Sequence, residues 1–413
     1  MVKLRIKNFG PIKEIYKDEY LIINKVSVFI GEQGSGKSTI AKLFSTLSWL
    51  EKDFFRTPQN ASNFGREEFI QYCANQKLSD YFIDSTRIDY IGGAYEFHYS
   101  KEKFTSIPIN GRFNKPKIMY IPSERNLLTV VDKAENVKKL PLMLRLLQTE
   151  YKNALSASET GIFKLPVGDF KLQFNKETQI TTIKNEESSV RIQESSSGLQ
   201  SLVPISIVSN YLLQDVNKTL VEIIQELSSF DIEKIKELIE KKWDDVIISD
   251  HLINVFEHDF IYGTINHVNE TDYNMIKEVI LDYVNTCFVN IVEEPEQNLF
   301  PVSQVNVLEE LISINNSIKE NKLLITTHSP YILSALNNYI YACAVNKRTG
   351  KEISEISKNL FVDINDTSAY RIQNGIVHNI INKDYELIDT TEIDDCSSVI
   401  NNLYDKLVEV DNE

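Results

Sequence analysis

Residues 31–39 read GEQGSGKST, and the fold follows from what this stretch demands of its neighbours. Gly31, Gly36, Lys37 and Ser38 fill the fixed positions of the phosphate-binding pattern G-x-x-x-x-G-K-[ST]. Glycines let the backbone curl until successive N–H groups point inward at a polyphosphate. The lysine reaches the β- and γ-phosphate oxygens, and the Ser38 hydroxyl can ligate Mg²⁺. Gln33, Gly34, Ser35 and Thr39 complete the stretch expected to wrap the nucleotide. The flanks agree. Val26-Ser27-Val28-Phe29-Ile30 reads as a buried strand, and Ile40, Leu43, Phe44 and Leu47 have the spacing of one helix face. A strand entering the loop and a helix leaving it aim the helix N-terminus at the phosphates.

Such a loop needs a second, acidic strand to complete the Mg²⁺ shell and hold a water. Phe288-Val289-Asn290-Ile291-Val292-Glu293-Glu294-Pro295-Glu296 supplies an apolar run ending in adjacent carboxylates. In a parallel sheet these acids emerge at the carboxyl edge, where nucleotides bind. Side chains alternate along a strand, so Glu293 is expected at the metal and Glu294 at the γ-phosphate and its attacking water. On its own, such a pair is usually a solvated strand end; the phosphate loop changes that reading. Leu323-Leu324-Ile325-Thr326-Thr327-His328-Ser329-Pro330 is a third apolar run, ending in one histidine. An imidazole there can hydrogen-bond the γ-phosphate and sense its loss. A fourth element, Glu194-Ser195-Ser196-Ser197-Gly198-Leu199-Gln200-Ser201, opens an apolar helix with hydroxyls and free N–H groups. That suits an anion clamp, and equally an ordinary serine-rich helix cap.

Composition adds limits. The chain has 413 residues, 42% hydrophobic, with a net charge of −15. Residues 1–150 hold 23 Lys and Arg against 17 Asp and Glu, leaving 21 against 42 in the remainder. The acidic remainder argues against sequence-independent coating of DNA. Cys73, Cys287, Cys343 and Cys396 are scattered, which points to buried thiols and not to a disulfide framework or a zinc site. No apolar run approaches the length of a membrane span, so the chain is read as soluble and cytoplasmic, without a membrane partner.

GEQGSGKST, SSSGLQS, FVNIVEEPE and LLITTHSP together resemble the ABC-type heads of SMC-like AAA ATPases. Within that superfamily they resemble the OLD (overcoming lysogenisation defect) branch and the ATPase subunits of anti-phage systems of the Septu and PARIS types. LRIKNFGPI and MYIPSERNL look like that branch too. The resemblance runs from residue 1 to about 335 and is loose beyond. It makes residues 31–39 Walker A, Glu293 and Glu294 the Walker B pair, His328 the switch histidine and Ser196–Gln200 the signature. It implies two ATP molecules sandwiched between two copies. Ser196, Ser197, Gly198 and Gln200 of one copy would then complete the other's site, and hydrolysis through Glu294 would release the pair. Glu293-Glu294 and SSSGLQ stand where transporters usually have Asp-Glu and LSGGQ. No transporter-type Gln loop is evident, and Glu124 or Arg125 falls near its place.

The expected fold is α/β: an ABC-type core from residues 1–50, 115–125, 190–215 and 285–345, within one elaborated domain spanning 1–413. Insertions at 51–114, with turns at Gly92-Gly93 and Asn110-Gly111, and at 126–193 carry hairpins and a helix, and 346–413 forms an α/β extension. Residues 205–285 carry short amphipathic stripes (Leu220, Ile223, Ile224, Leu227; Ile232, Ile235, Leu238, Ile239) that lack sustained heptads, so a compact helical insertion is expected. Glu392, Asp394 and Asp395 read as a solvated turn, not a metal site. No nuclease constellation is evident. The expected function is an ATPase whose assembly controls a separate effector in anti-phage defence. The alternatives are a RecF-like ATPase that binds DNA structures in repair, with nucleic acid as partner, and a scaffold of low turnover.

Overall fold

The structure is a computed structural model that describes residues 1–101, 103–111, 113–131, 140–243, 245–263, 265–351 and 354–391. The acids Glu392, Asp394 and Asp395, and Cys396, lie outside these residues. The chain divides into two compact units. One comprises Met1–Arg112, Ile118–Tyr211 and Val289–Glu413, and the other Phe113–Lys117 and Leu212–Phe288.

The larger unit is built on a mixed sheet. Its strands are β1 (Val2–Phe9), β2 (Ile12–Ile15), β3 (Leu21–Ile23), β4 (Val26–Gly31), β5 (Arg87–Ile91), β6 (Tyr95–Ser100), β7 (Lys103–Pro108) and β8 (Pro116–Ile121). Strands β9 to β12, between Ile162 and Arg191, form a separate four-stranded antiparallel sheet. The main sheet then continues with β13 (Cys287–Glu293), β14 (Lys322–Thr327), β15 (Thr367–Gln373) and β16 (Ile376–Asn379). Its order is β7-β6-β5-β1-β2-β16-β15-β4-β14-β13-β8, with β3 beside β1. Four neighbours, β15, β4, β14 and β13, run parallel. Strand β13 is buried at every residue, and β4 and β14 at all but one. Continuous apolar runs of this kind suit strands covered on both faces. The antiparallel flank through β5, β6 and β7 turns at Gly92-Gly93, one of the hairpin turns expected from the sequence.

A mixed α/β fold with hairpin and helical insertions was expected and is found. The sheet's membership differs from the reading that ended its core at residue 345. Strand β15 lies directly beside β4, pairing Thr367 with Val26 through Ile372 with Gly31. Its first buried residues are small or hydroxylic (Thr367, Ser368, Ala369) and Arg371 separates the buried Tyr370 and Ile372, so no apolar run marks it. Tyr370 anchors it: its ring stacks on Phe29 at 5.3 Å and its hydroxyl accepts the Ile22 N–H at 2.7 Å.

The smaller unit is helical. Its helices Leu220–Glu226, Ser229–Lys242, Val246–Val255 and Glu270–Tyr283 bury Ile224, Ile235, Ile239, Leu252, Ile276 and Ile280 in one cluster, joined by Phe256 from the π-helical turn Phe256–Ile261. Capping boxes at Thr219/Glu222 and Ser228/Asp231 start the first two helices. The apolar stripes therefore close on one another over a few turns.

Candidate functional site

Register puts the chemistry of three of the sequence elements, the phosphate loop, the acidic pair and the histidine, at one edge. Glu293 pairs with Thr326, Thr327 with Ile30, and Ile372 with Gly31, so β13, β14, β4 and β15 all end together. This is the carboxyl edge of parallel strands, where α/β sheets bind ligands.

The phosphate loop leaves β4 and enters the helix Lys37–Arg56 through Gly36, in the left-handed region at φ 111°. A Cβ on Gly36 would lie 2.4 Å from Ile12 Cδ1, so only glycine fits. Gly34 is also left-handed, at φ 76°, and open around its Cα. The first helical bond runs from Ile40 N–H to Gly36 O at 3.1 Å. The N–H groups of Lys37, Ser38 and Thr39 precede that ladder and are the donors a helix start offers an anion. Gln33 is exposed at the loop tip, Ser38 is half-buried, and Lys37 and Thr39 are buried. Lys37 Nζ donates to Gly31 O at 2.8 Å and Glu32 O at 2.9 Å. Burial lowers its pKa, against the pull of Glu294, Glu296 and Glu293.

Glu293 is 2% exposed, and its Oε2 accepts the Ser123 N–H at 3.2 Å. Its Oε1 is buried without a well-aligned hydrogen bond, and the Tyr120 hydroxyl lies against the carboxylate. Burial, then Glu293, push that hydroxyl's pKa well up, which keeps it neutral. Glu294 follows at φ 44°, left-handed for a residue with a side chain. Such backbone is costly, and it persists where surrounding bonds impose it. Here the Glu294 N–H donates to Thr326 O at 2.8 Å. The turn sets Glu294 Oε1 3.3 Å from His328 Nε2, each side chain about one-third exposed (33% and 34%). The two expected catalytic residues are thus brought together.

Glu296 has a role the sequence reading did not assign. Its Oε1 accepts the Thr327 hydroxyl at 2.8 Å and the His328 N–H at 2.7 Å, fixing the backbone that carries the imidazole. Burial raises its pKa. A third carboxylate in EEPE was the available signal.

The signature segment opens the helix Ser197–Val216. Ser196 and Ser197 are exposed, and the Ser196 hydroxyl accepts the Leu199 N–H at 3.4 Å. Gly198 packs on the turn after β13; a Cβ there would lie 2.7 Å from Asn298 O. Gln200 points inward, donating to Ile192 O at 3.2 Å and Gln193 O at 2.9 Å, so it braces the turn before the helix. Of the two residues near the expected Gln-loop position, Glu124 is exposed and Arg125 is fully buried.

The donor set fits a magnesium nucleotide. The Ser35 hydroxyl and Glu293 Oε1 are buried polar atoms without a well-aligned hydrogen bond, one at the loop and one at the acidic strand. Ser38 and Glu293 offer hard oxygen ligands. No cluster of three His, Cys, Asp or Glu that could hold a metal occurs among the described residues. That is the usual state of Mg²⁺ sites, which use one or two protein oxygens with phosphate and water.

No family model and no curated protein matches the chain. Solved structures do. An SMC head domain from Thermotoga maritima is 10% identical, covering 92% of this chain and 97% of that one, with a TM-score of 0.35. An Smc head from Pyrococcus furiosus, with an extended coiled coil and bound to the C-terminal domain of ScpA, is 8% identical over 98% and 100%, with a TM-score of 0.27. A dimeric ATP-binding cassette bound to ADP and phosphate is 10% identical over 92% and 97%, with a TM-score of 0.22. Likenesses this distant carry no functional weight; the site's own geometry does. Among the described residues, no helix is long and apolar enough to cross a membrane.

Proposed function

We propose that this chain is an ABC-type, SMC-like subunit that binds and hydrolyses ATP with Mg²⁺ and assembles with a second copy through the nucleotide. The observation that carries this reading is the Glu294–His328 pair, 3.3 Å apart at the strand edge that also carries the phosphate loop. Bound magnesium would neutralise phosphate charge, held by Ser38 Oγ and Glu293. Lys37 would exchange its two loop carbonyls for phosphate oxygens. Glu294 would take the proton of the attacking water, and His328, 3.3 Å from it, would orient that carboxylate and touch the γ-phosphate. The exposed Ser196 and Ser197, with the N–H groups opening their helix, would clamp the γ-phosphate in the partner copy's site. Contacts that exist only with the γ-phosphate make assembly depend on ATP.

Removing a general base costs about 10²–10⁴ in rate. Glu294→Gln should therefore keep ATP binding, lose hydrolysis, and double in mass with ATP. Hydrolysis at the normal rate would remove Glu294 as the base. Lys37→Ala should lose nucleotide affinity, and unchanged binding would overturn the loop assignment. The motif resemblance further supports control of a separate effector in anti-phage defence, in the cytoplasm. Copurification with the product of the adjacent gene tests this, and a partner without nuclease-like chemistry counts against it. The excess of basic residues in 1–150 favours the second reading, a DNA-binding repair ATPase. Its test is ATP-dependent retention on DNA that weakens as salt rises.

A further inference from the structure

Arg125 is 0% exposed, the largest side chain among the fully buried ones described. Buried guanidinium groups usually meet a carboxylate. The hydrogen bonds of Arg125 all run to main-chain carbonyls: Nε to Ser201 O at 2.9 Å, one terminal nitrogen to Pro122 O at 3.2 Å and Glu293 O at 2.6 Å, the other to Glu294 O at 2.7 Å. Two of these carbonyls belong to the catalytic turn and one to the signature helix. Burial pulls the Arg125 pKa down to about 10, against the field of Glu296, Glu294 and Glu293, so it stays charged at neutral pH.

Its neighbours in Pro122–Val130 extend the same connection. The Ser123 N–H donates to Glu293 Oε2 at 3.2 Å. Pro204 lies inside the signature helix and has no N–H, which frees the carbonyl four residues before it, that of Gln200. The Thr129 hydroxyl lies 2.8 Å from that carbonyl and 2.9 Å from Asn126 O, which share its one proton. One short segment thus grips the catalytic turn at one end and the first turns of the signature helix at the other.

We infer that Arg125 is a positioning residue that couples the two motifs within one subunit, holding the left-handed turn that aims Glu294 according to where the signature helix sits. Glu294 is pinned on both sides, by Thr326 O at its N–H and by Arg125 at its carbonyl. A shift of the signature helix on meeting a second copy would pull on Ser201 O, and through the guanidinium on Glu294. This inference rests on the ATPase reading above.

The test is turnover and ATP affinity in Arg125→Lys, Arg125→Met and Thr129→Val, with melting temperature and mass recorded for each. Lysine keeps the charge but cannot fork to four carbonyls. Misplacing a catalytic group by an ångström costs about a hundred-fold, so Arg125→Lys should lose about ten- to a hundred-fold in kcat, and Arg125→Met more. ATP affinity should stay within about three-fold, since Lys37 and the loop are untouched. Thr129→Val should lower kcat about three-fold at unchanged affinity, through the helix end alone. Turnover of Arg125→Lys within two-fold of the wild type would overturn the inference. So would a loss that merely tracks the fraction unfolded. If the Arg125 variants do not fold, Thr129→Val decides, and wild-type kcat there overturns the coupling. Glu294→Gln is run alongside: if it hydrolyses ATP normally the ATPase reading fails, whereas if it is inactive and Arg125→Lys is normal only the coupling fails.

Discussion

Lys37 is held on the carbonyls of Gly31 and Glu32, in a pocket dry enough to lower its pKa from the usual 10.5. The sign of its pH dependence follows. Bound polyphosphate favours the charged amine, so binding above the free protein's Lys37 pKa requires proton uptake. Affinity for ATP should fall as pH rises through the window just below 10.5, by about ten-fold per unit at the limit. Stability of the free protein should do the opposite. In that window the unfolded lysine holds its proton and the folded one has released it, so stability gains as pH rises. Calorimetric ATP titrations and urea unfolding across alkaline pH measure the two. Parallel trends, or flat ones, would contradict the buried-lysine geometry. At this scale the chemistry was legible: the loop, Glu293, Glu294 and His328 each end an apolar run. The enclosure of Arg125 and Glu296 was not legible, although EEPE shows a third carboxylate, because nothing local tells that a charged residue in PSERNL or EEPE will be enclosed by distant carbonyls and N–H groups.

The loop helix shows how one element is fixed far from the nucleotide. Glu51, 3% exposed near its end, accepts the Tyr90 hydroxyl at 2.6 Å, the Ala94 N–H at 2.7 Å and the Tyr95 N–H at 3.2 Å. The β5–β6 hairpin therefore closes around a carboxylate from the helix that carries Lys37. Gly92 is required by contact rather than conformation: a Cβ there would sit 2.0 Å from Glu51 Oε1. Glu51→Ala strands several buried donors and should destabilise by about 3 kcal/mol, read from urea unfolding. A change below about 0.5 kcal/mol, the size of ordinary surface substitutions, would mean the clasp contributes nothing. Periodicity revealed the helix and the Gly92-Gly93 turn marked the hairpin. Their junction was hidden, because a glutamate on a helix normally reads as solvated.

For the molecule as a whole, the motifs end at His328 but the sheet that holds them does not. Strand β15 supplies one of the two neighbours of β4, the strand that presents the phosphate loop. Ending the chain after Gly350 keeps every motif residue and removes that neighbour. Such a truncation should fail to bind ATP and show no cooperative unfolding; normal binding would mean β15 is dispensable. Tyr370→Ala is the milder form, expected to cost about 3 kcal/mol by analogy with other buried aromatic truncations. The sequence by itself determined the local chemistry: a glycine loop that can only curl, apolar strands that expose acids and an imidazole at their ends, and helices with caps and stripes. Those properties depend on residues close in the chain, so spacing reveals them. Only the tertiary structure decided that Glu294 meets His328, that Arg125 joins the Glu293-Glu294 turn to the helix Ser197–Val216, and that Thr367–Gln373 completes the sheet. These depend on register and burial between segments far apart in sequence, where small and charged residues carry no pattern of their own.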